Sequence, residues 1–140
     1  MVTIMSQSKL SKKLLIKPGQ TVTIVNAPEG FETMLDPLPA GATVSHSLKK
    51  ELSFVLLFVR SVAELEKWGA SVTKAAARDG LLWIAYPKKS SKMKSDLNRD
   101  AGWDVITKAG SRCVAQISID ETWSGSRFRP FELVGTTRKS

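Results

Sequence analysis

Leu52-Ser-Phe-Val-Leu-Leu-Phe-Val59 is apolar at every position from Phe54 to Val59 and does not alternate. A strand with one face in water reads apolar, polar, apolar in turn. A strand without that alternation is covered on both faces, which is the position of a central strand in a parallel sheet between two layers. Six apolar residues also fall far short of the ~18 that a membrane span requires.

Working outward, Leu81-Leu-Trp-Ile-Ala-Tyr86 has the same unbroken character and predicts a second buried strand. Between the two, Ser61 and Glu64 have the spacing of a capping box. Behind them Val62, Leu65, Gly69, Val72 and Ala76 recur at steps of three and four, which predicts a helix that Arg78-Asp79-Gly80 would stop. On the amino-terminal side, Lys17-Pro18-Gly19-Gln20 predicts a turn into a β-branched strand, Thr21 to Val25. Pro28 suits the first turn of a short helix, ended by Asp36-Pro-Leu-Pro39. Ala42 to Leu48 alternates like an edge strand. Only about six residues then lead to Leu52, which leaves two readings. Either this strand runs antiparallel, or it is short and the chain returns extended at ~3.3 Å per residue.

On the carboxyl-terminal side, Ser95 or Asp96 can cap a third helix reaching about Lys108. A strand from Cys113 to Ile119 follows, then a turn at Trp123-Ser-Gly-Ser126 and an antiparallel return from Arg127. The expected fold is α/β: a three-layer, mainly parallel, Rossmann-like sheet of about five or six strands with a C-terminal antiparallel hairpin. One domain is expected over residues 1–140, with a mobile basic segment at 1–16 and a frayed tail at 135–140.

The 140 residues carry a formal charge of +8, yet residues 18–130 account for only three of those charges. Basicity held in the flanks supports general attraction to polyanions and says nothing about fold. Cys113, the one cysteine, is expected as a packed thiol, and a cytoplasmic location fits a chain with no secretory h-region. His46 is the one histidine, which excludes a histidine-rich metal site and suggests a structural residue on the outer strand.

If the four apolar runs are parallel, the clusters that end them share one sheet edge. Those clusters begin at Asn26, Arg60, Tyr86 and Asp120. Open α/β sheets bind ligands at that edge. Arg60, Lys88 and Lys89 are candidate ligands for a small anion, with Asn26, Tyr86, Asp120 and Trp123 shaping the pocket. The same residues also have plain structural readings: a solvated lysine loop, an ion pair of Asp120 or Glu121 with Arg60, Lys88 or Arg127, and Trp123 packed under its turn. No catalytic residue is assigned. The first turn, Asn26-Ala-Pro-Glu-Gly-Phe31, lacks dinucleotide glycine spacing, and Glu29 would repel a phosphate placed there. No P-loop, nucleophile elbow or zinc motif is present.

Taken together, Lys17-Pro-Gly, Asn26-Ala-Pro-Glu-Gly-Phe31, Leu56-Leu-Phe-Val-Arg-Ser61, Trp83-Ile-Ala-Tyr-Pro-Lys-Lys89 and Asp120-Glu-Thr-Trp-Ser-Gly-Ser-Arg-Phe128 resemble a family of short bacterial proteins catalogued as a domain of unknown function. The resemblance spans roughly residues 14 to 129 and implies no established activity. The order of elements also resembles a cut-down Rossmann-like methyltransferase core, which implies S-adenosylmethionine as a ligand. Lys49-Lys50 stand where such enzymes carry an acid. Three readings follow: a small anion-binding protein, a divergent S-adenosylmethionine-dependent methyltransferase-like enzyme, and a nucleic-acid accessory protein acting through Lys9, Lys12, Lys13 and the loop from Lys88 to Lys94.

Overall fold

The structure is a computed structural model and describes residues 8–97 and 102–130. Its strands are β1 (Thr21–Val25), β2 (Thr43–Ser45), β3 (Leu52–Phe58), β4 (Ala76–Pro87), β5 (Ser111–Ser118) and β6 (Trp123–Pro130). They form one six-stranded sheet in the order β2-β1-β3-β4-β6-β5. β1 pairs in parallel with both β2 and β3, and β3 with β4. β6 is antiparallel to β4 and to β5, so β5 runs the same way as the first four. This is the mainly parallel α/β sheet with a carboxyl-terminal antiparallel hairpin that the sequence predicts.

The two unbroken apolar strands lie side by side in the middle, and their alternate residues divide the core. Phe54, Leu56 and Phe58 with Leu81, Trp83 and Ala85 face one way; Val55 and Leu57 with Leu82, Ile84 and Tyr86 face the other. Each such side chain contributes about 1.5–3 kcal/mol on leaving water. The second face is covered by α2 (Val62–Ala75) and α3 (Asp104–Lys108) through Leu65, Val72 and Ile106.

The first face is covered differently from what the sequence suggests. The mobile arm expected over 1–16 gives way, from Ser8 on, to α1 (Lys9–Lys13) and a turn that buries Leu10, Leu14 and Ile16 against the sheet. The indole Nε1 of Trp83 donates to the Leu14 carbonyl at 3.0 Å, pinning the segment to β4. The helix expected near Pro28 is a single 3-10 stretch, Phe31–Leu35, entered through Gly30 at φ +83°. The expected frayed tail, 135–140, lies outside the described residues.

The short link after β2 resolves in favour of a brief parallel strand. β2 spans three residues at the sheet edge, and residues 46–51 carry the chain back to the start of β3 on the far side of β1. α2 ends at Ala75 rather than at Gly80, which sits inside β4. A Cβ at Gly80 would lie 2.7 Å from the Leu52 carbonyl oxygen, so the position needs glycine for strand approach rather than for helix termination. The third helix begins at Asp104, not at Ser95 or Asp96. Cys113 is exposed on the edge strand β5, which corrects the expected packed thiol. No helix among the described residues is long and apolar enough to cross a membrane.

Candidate functional site

Connections leave β1 toward β2 on one side and β3 toward β4 on the other, so the chain reverses direction across the sheet between β1 and β3. Crevices of open α/β sheets form at such a switch point, beyond the strand carboxyl ends. Following the strand order, that edge carries His46 after β2, Asn26 after β1, Arg60 after β3, Lys88 after β4, Trp123 opening β6, and Asp120 after β5.

Asn26 closes the backbone at the switch. It adopts φ 62°, a left-handed conformation in which asparagine is enriched among non-glycine residues. Its Nδ2 donates to the Phe58 carbonyl at 2.8 Å, tying the ends of β1 and β3 together. Beside it lies a cleft of about 520 Å³, within the ordinary range for small-molecule sites. The turn from Asn26 to Thr33 makes one wall, and His46 and Trp68 complete it. Glu29 and Glu32 put two carboxylates on the rim, and Glu32 accepts a hydrogen bond from His46 Nε2. Gly30 leaves bare backbone at this wall, with nothing within 4 Å of where a Cβ would stand. The cleft can therefore receive a flat, uncharged or cationic group, and it opposes an anion.

A wall of rings bounds this region toward β4. Phe31 meets Phe58 edge to face at 4.6 Å, and Phe58 meets Trp123 at 5.0 Å. Trp123 is only 4% exposed, and the Arg60 guanidinium lies 5.8 Å from the centre of its ring. Arg60 also sits 3.8 Å from Glu64, while Glu64 Oε1 accepts from the Arg60 backbone N–H at 2.6 Å. Half of the capping box read from Ser61 and Glu64 is present: Ser61 Oγ accepts from the Glu64 N–H, while the Glu64 carboxylate reaches one residue further, to the Arg60 N–H. Asp96 adds a cap from a distance by accepting the Val62 N–H at 2.9 Å. Asp96 thus serves α2 rather than a third helix.

Past the rings the character of the edge changes sign. Lys88 Nζ donates to Ser118 Oγ at 2.6 Å, and Lys13 Nζ donates to the Ser118 carbonyl at 3.1 Å. Lys89 is exposed on the same loop and lines a hollow of about 330 Å³ with Lys88, Ser91 and Lys94. Asp120 turns its Oδ1 into its own turn, accepting from the N–H groups of Thr122 and Trp123 at 2.8 Å each. That makes Asp120 a turn-forming residue, and of the two acids expected to offer an ion pair it is the one spent on the backbone.

The seven residues singled out from sequence are therefore brought to one edge but not into one pocket. Asn26 lies on the cleft, Arg60 and Trp123 form the ring wall, and Lys88, Lys89 and Asp120 lie beyond it. Tyr86 is 4% exposed and packs edge to face on Trp103 at 5.3 Å, on the helix-covered side of the sheet, which removes it from the pocket. Trp68, Glu32 and His46 complete the cleft instead, although sequence reading placed His46 in a structural role. Trp68 stands at the flank of the apolar stripe of α2, three residues after Leu65 and four before Val72, so its spacing reads as core and gives no signal of a cleft. Among the described residues no group of three potential metal ligands comes together.

No protein-family model and no curated protein matches the chain, so the resemblance to a domain of unknown function has no matching model behind it. Solved structures do match. A SAM dependent methyltransferase from Aquifex aeolicus superposes with a TM-score of 0.54 at 14% identity, covering 86% of this chain and 87% of that one. A SAM-dependent methyltransferase from Leishmania major matches with a TM-score of 0.46 at 9% identity, over 85% of this chain and 69% of that one. LepI in complex with SAM matches with a TM-score of 0.48 at 14% identity, over 87% and 39%. The first of these shows that the chain has the Rossmann-like α/β fold.

Proposed function

We propose that this protein binds a ligand of the S-adenosylmethionine class in the cleft at the carboxyl end of β1, as a divergent methyltransferase-like protein. The observation that carries the reading is a cleft of about 520 Å³ at the switch-point end of a methyltransferase-type sheet, with two carboxylates on its rim. The residues fit the ligand in three respects. Trp68 offers a ring for the adenine, Gly30 offers uncovered backbone at φ +83°, and Glu29 and Glu32 suit a sulfonium and an amino group. The glycine-rich first turn of such enzymes is reduced here to Gly30, and the acid they carry after β2 is replaced by Glu32 held against His46. When bound, the ligand would supply a transferable methyl group.

The same features argue against a phosphate-bearing nucleotide in this cleft, because Glu29 and Glu32 would face its anionic groups. Calorimetric titration with S-adenosylmethionine and S-adenosylhomocysteine tests the reading. Binding of both is expected, with the positively charged sulfonium favoured about two- to fivefold, the size of an exposed charge interaction. Glu29→Gln with Glu32→Gln should erase that preference, and Trp68→Ala should weaken both ligands by about tenfold or more, as loss of one stacking contact does. Absence of heat and of thermal stabilisation at millimolar concentration of either ligand would remove the proposal.

A further inference from the structure

Beyond that reading, the opposite end of the same edge carries a second arrangement. Lys13 ends α1 and Lys88 follows β4, 75 positions later in the chain. The fold brings both ammonium groups to one residue, Ser118 at the carboxyl end of β5: Lys88 to its hydroxyl at 2.6 Å and Lys13 to its carbonyl at 3.1 Å. Both acceptors are neutral. Among the described residues the carboxylates within salt-bridge distance of a basic side chain are Glu32 beside the His46 ring and Glu64 beside Arg60, so neither lysine meets an acid. The nearest acid in sequence on β5's exit, Asp120, has its Oδ1 committed to the Thr122 and Trp123 N–H groups.

Two like charges held around a neutral serine repel one another, and the arrangement is relieved by an anion between them. Each ammonium has three donors and spends one on Ser118, which leaves donors for oxygens of an incoming group. Lysine is a point charge that suits a tetrahedral phosphate, whereas planar carboxylates favour the arginine fork. We infer that Lys13, Lys88 and Ser118 form an oxyanion site that takes the phosphate group of a small phosphorylated ligand. The site stands about 19 Å from the β1 cleft along the edge, four strand spacings away, so it is independent of the cleft.

The test uses the full chain, with inorganic phosphate as the probe, acetate as the carboxylate arm, and phosphorus NMR or calorimetry as the readout. Lys108 is exposed on α3 and supplies a charge-matched control. Wild type should bind phosphate more tightly than acetate. Lys13→Gln and Lys88→Gln should each weaken phosphate about fivefold or more, while Lys108→Gln leaves it unchanged. Unchanged binding in both site variants, equal weakening by Lys108→Gln, or a preference for acetate would overturn the assignment. The response to S-adenosylhomocysteine, measured in the same variants, should not move. Loss of that response in wild type would sink the cleft reading alone and leave the phosphate result standing.

Discussion

The cleft beside β1 and the lysine-bearing end beside β5 lie on one edge of one sheet, yet they are built for opposite charges. At the first, Glu29 and Glu32 are the charged groups near the backbone turn, and Asn26 spends its side chain holding two strands together. At the second, Lys13 and Lys88 are drawn to a serine, and Asp120 turns one carboxylate oxygen into its own turn while Glu121 beside it is exposed. Strand direction decides where a ligand can approach; the loops decide its sign. Between the strands that carry them, Phe31, Phe58 and Trp123 pack edge to face in the buried core.

The largest effect should come from breaking that packing. Trp123→Ala deletes a buried ring in contact with Phe58 and below Arg60, and should cost about 3–5 kcal/mol in urea unfolding, the usual range for truncating a large aromatic in a core. A loss under about 1 kcal/mol would mean that Trp123 does not carry the packing described for it. Next, Asn26→Ala leaves the Phe58 carbonyl without its donor and puts alanine at a positive φ. Destabilisation of about 1–3 kcal/mol is expected, with Asn26→Gly recovering the backbone part but not the hydrogen bond. The smallest effect sharpens the contrast from the other side. Lys88→Gln should change stability by no more than about 0.5 kcal/mol, because the lysine is held at the surface by a neutral hydroxyl. A large loss there would make Lys88 a structural residue like Asn26.

The sequence makes the strands and their direction legible for a simple reason. Phe54–Val59 and Leu81–Tyr86 have no polar positions, so they belong in the middle, and parallel neighbours share a carboxyl end. The Ser61 cap of α2 is equally readable because it is local. What escaped depends on distance along the chain. Leu10, Leu14 and Ile16 are too few, and too mixed with lysines, to show a helical stripe, and their burial depends on Trp83. Lys13 reaches Ser118 across 105 positions, and His46 meets Glu32 only because β2 lies beside β1. Gly80 reads as a helix stop because that role is common, whereas its close approach to the Leu52 carbonyl has no sequence signature. Tyr86 was assigned to the site by its position at a strand end, but adjacent strand residues point to opposite faces, and its register turns it toward Trp103.

Among the described residues β6 is the last strand to be synthesised, yet it occupies an interior place between β4 and β5. Until Trp123–Pro130 has left the ribosome, β4 has an open flank and β5 has no neighbour at all. The native assembly is therefore a late event in biosynthesis, governed by contacts between distant parts of the chain, and such closure is slow. A nascent chain halted before Trp123 would leave the backbone edge of β4 from Leu82 to Pro87 without its ladder partner, the kind of edge that chaperones capture and that nucleates aggregates.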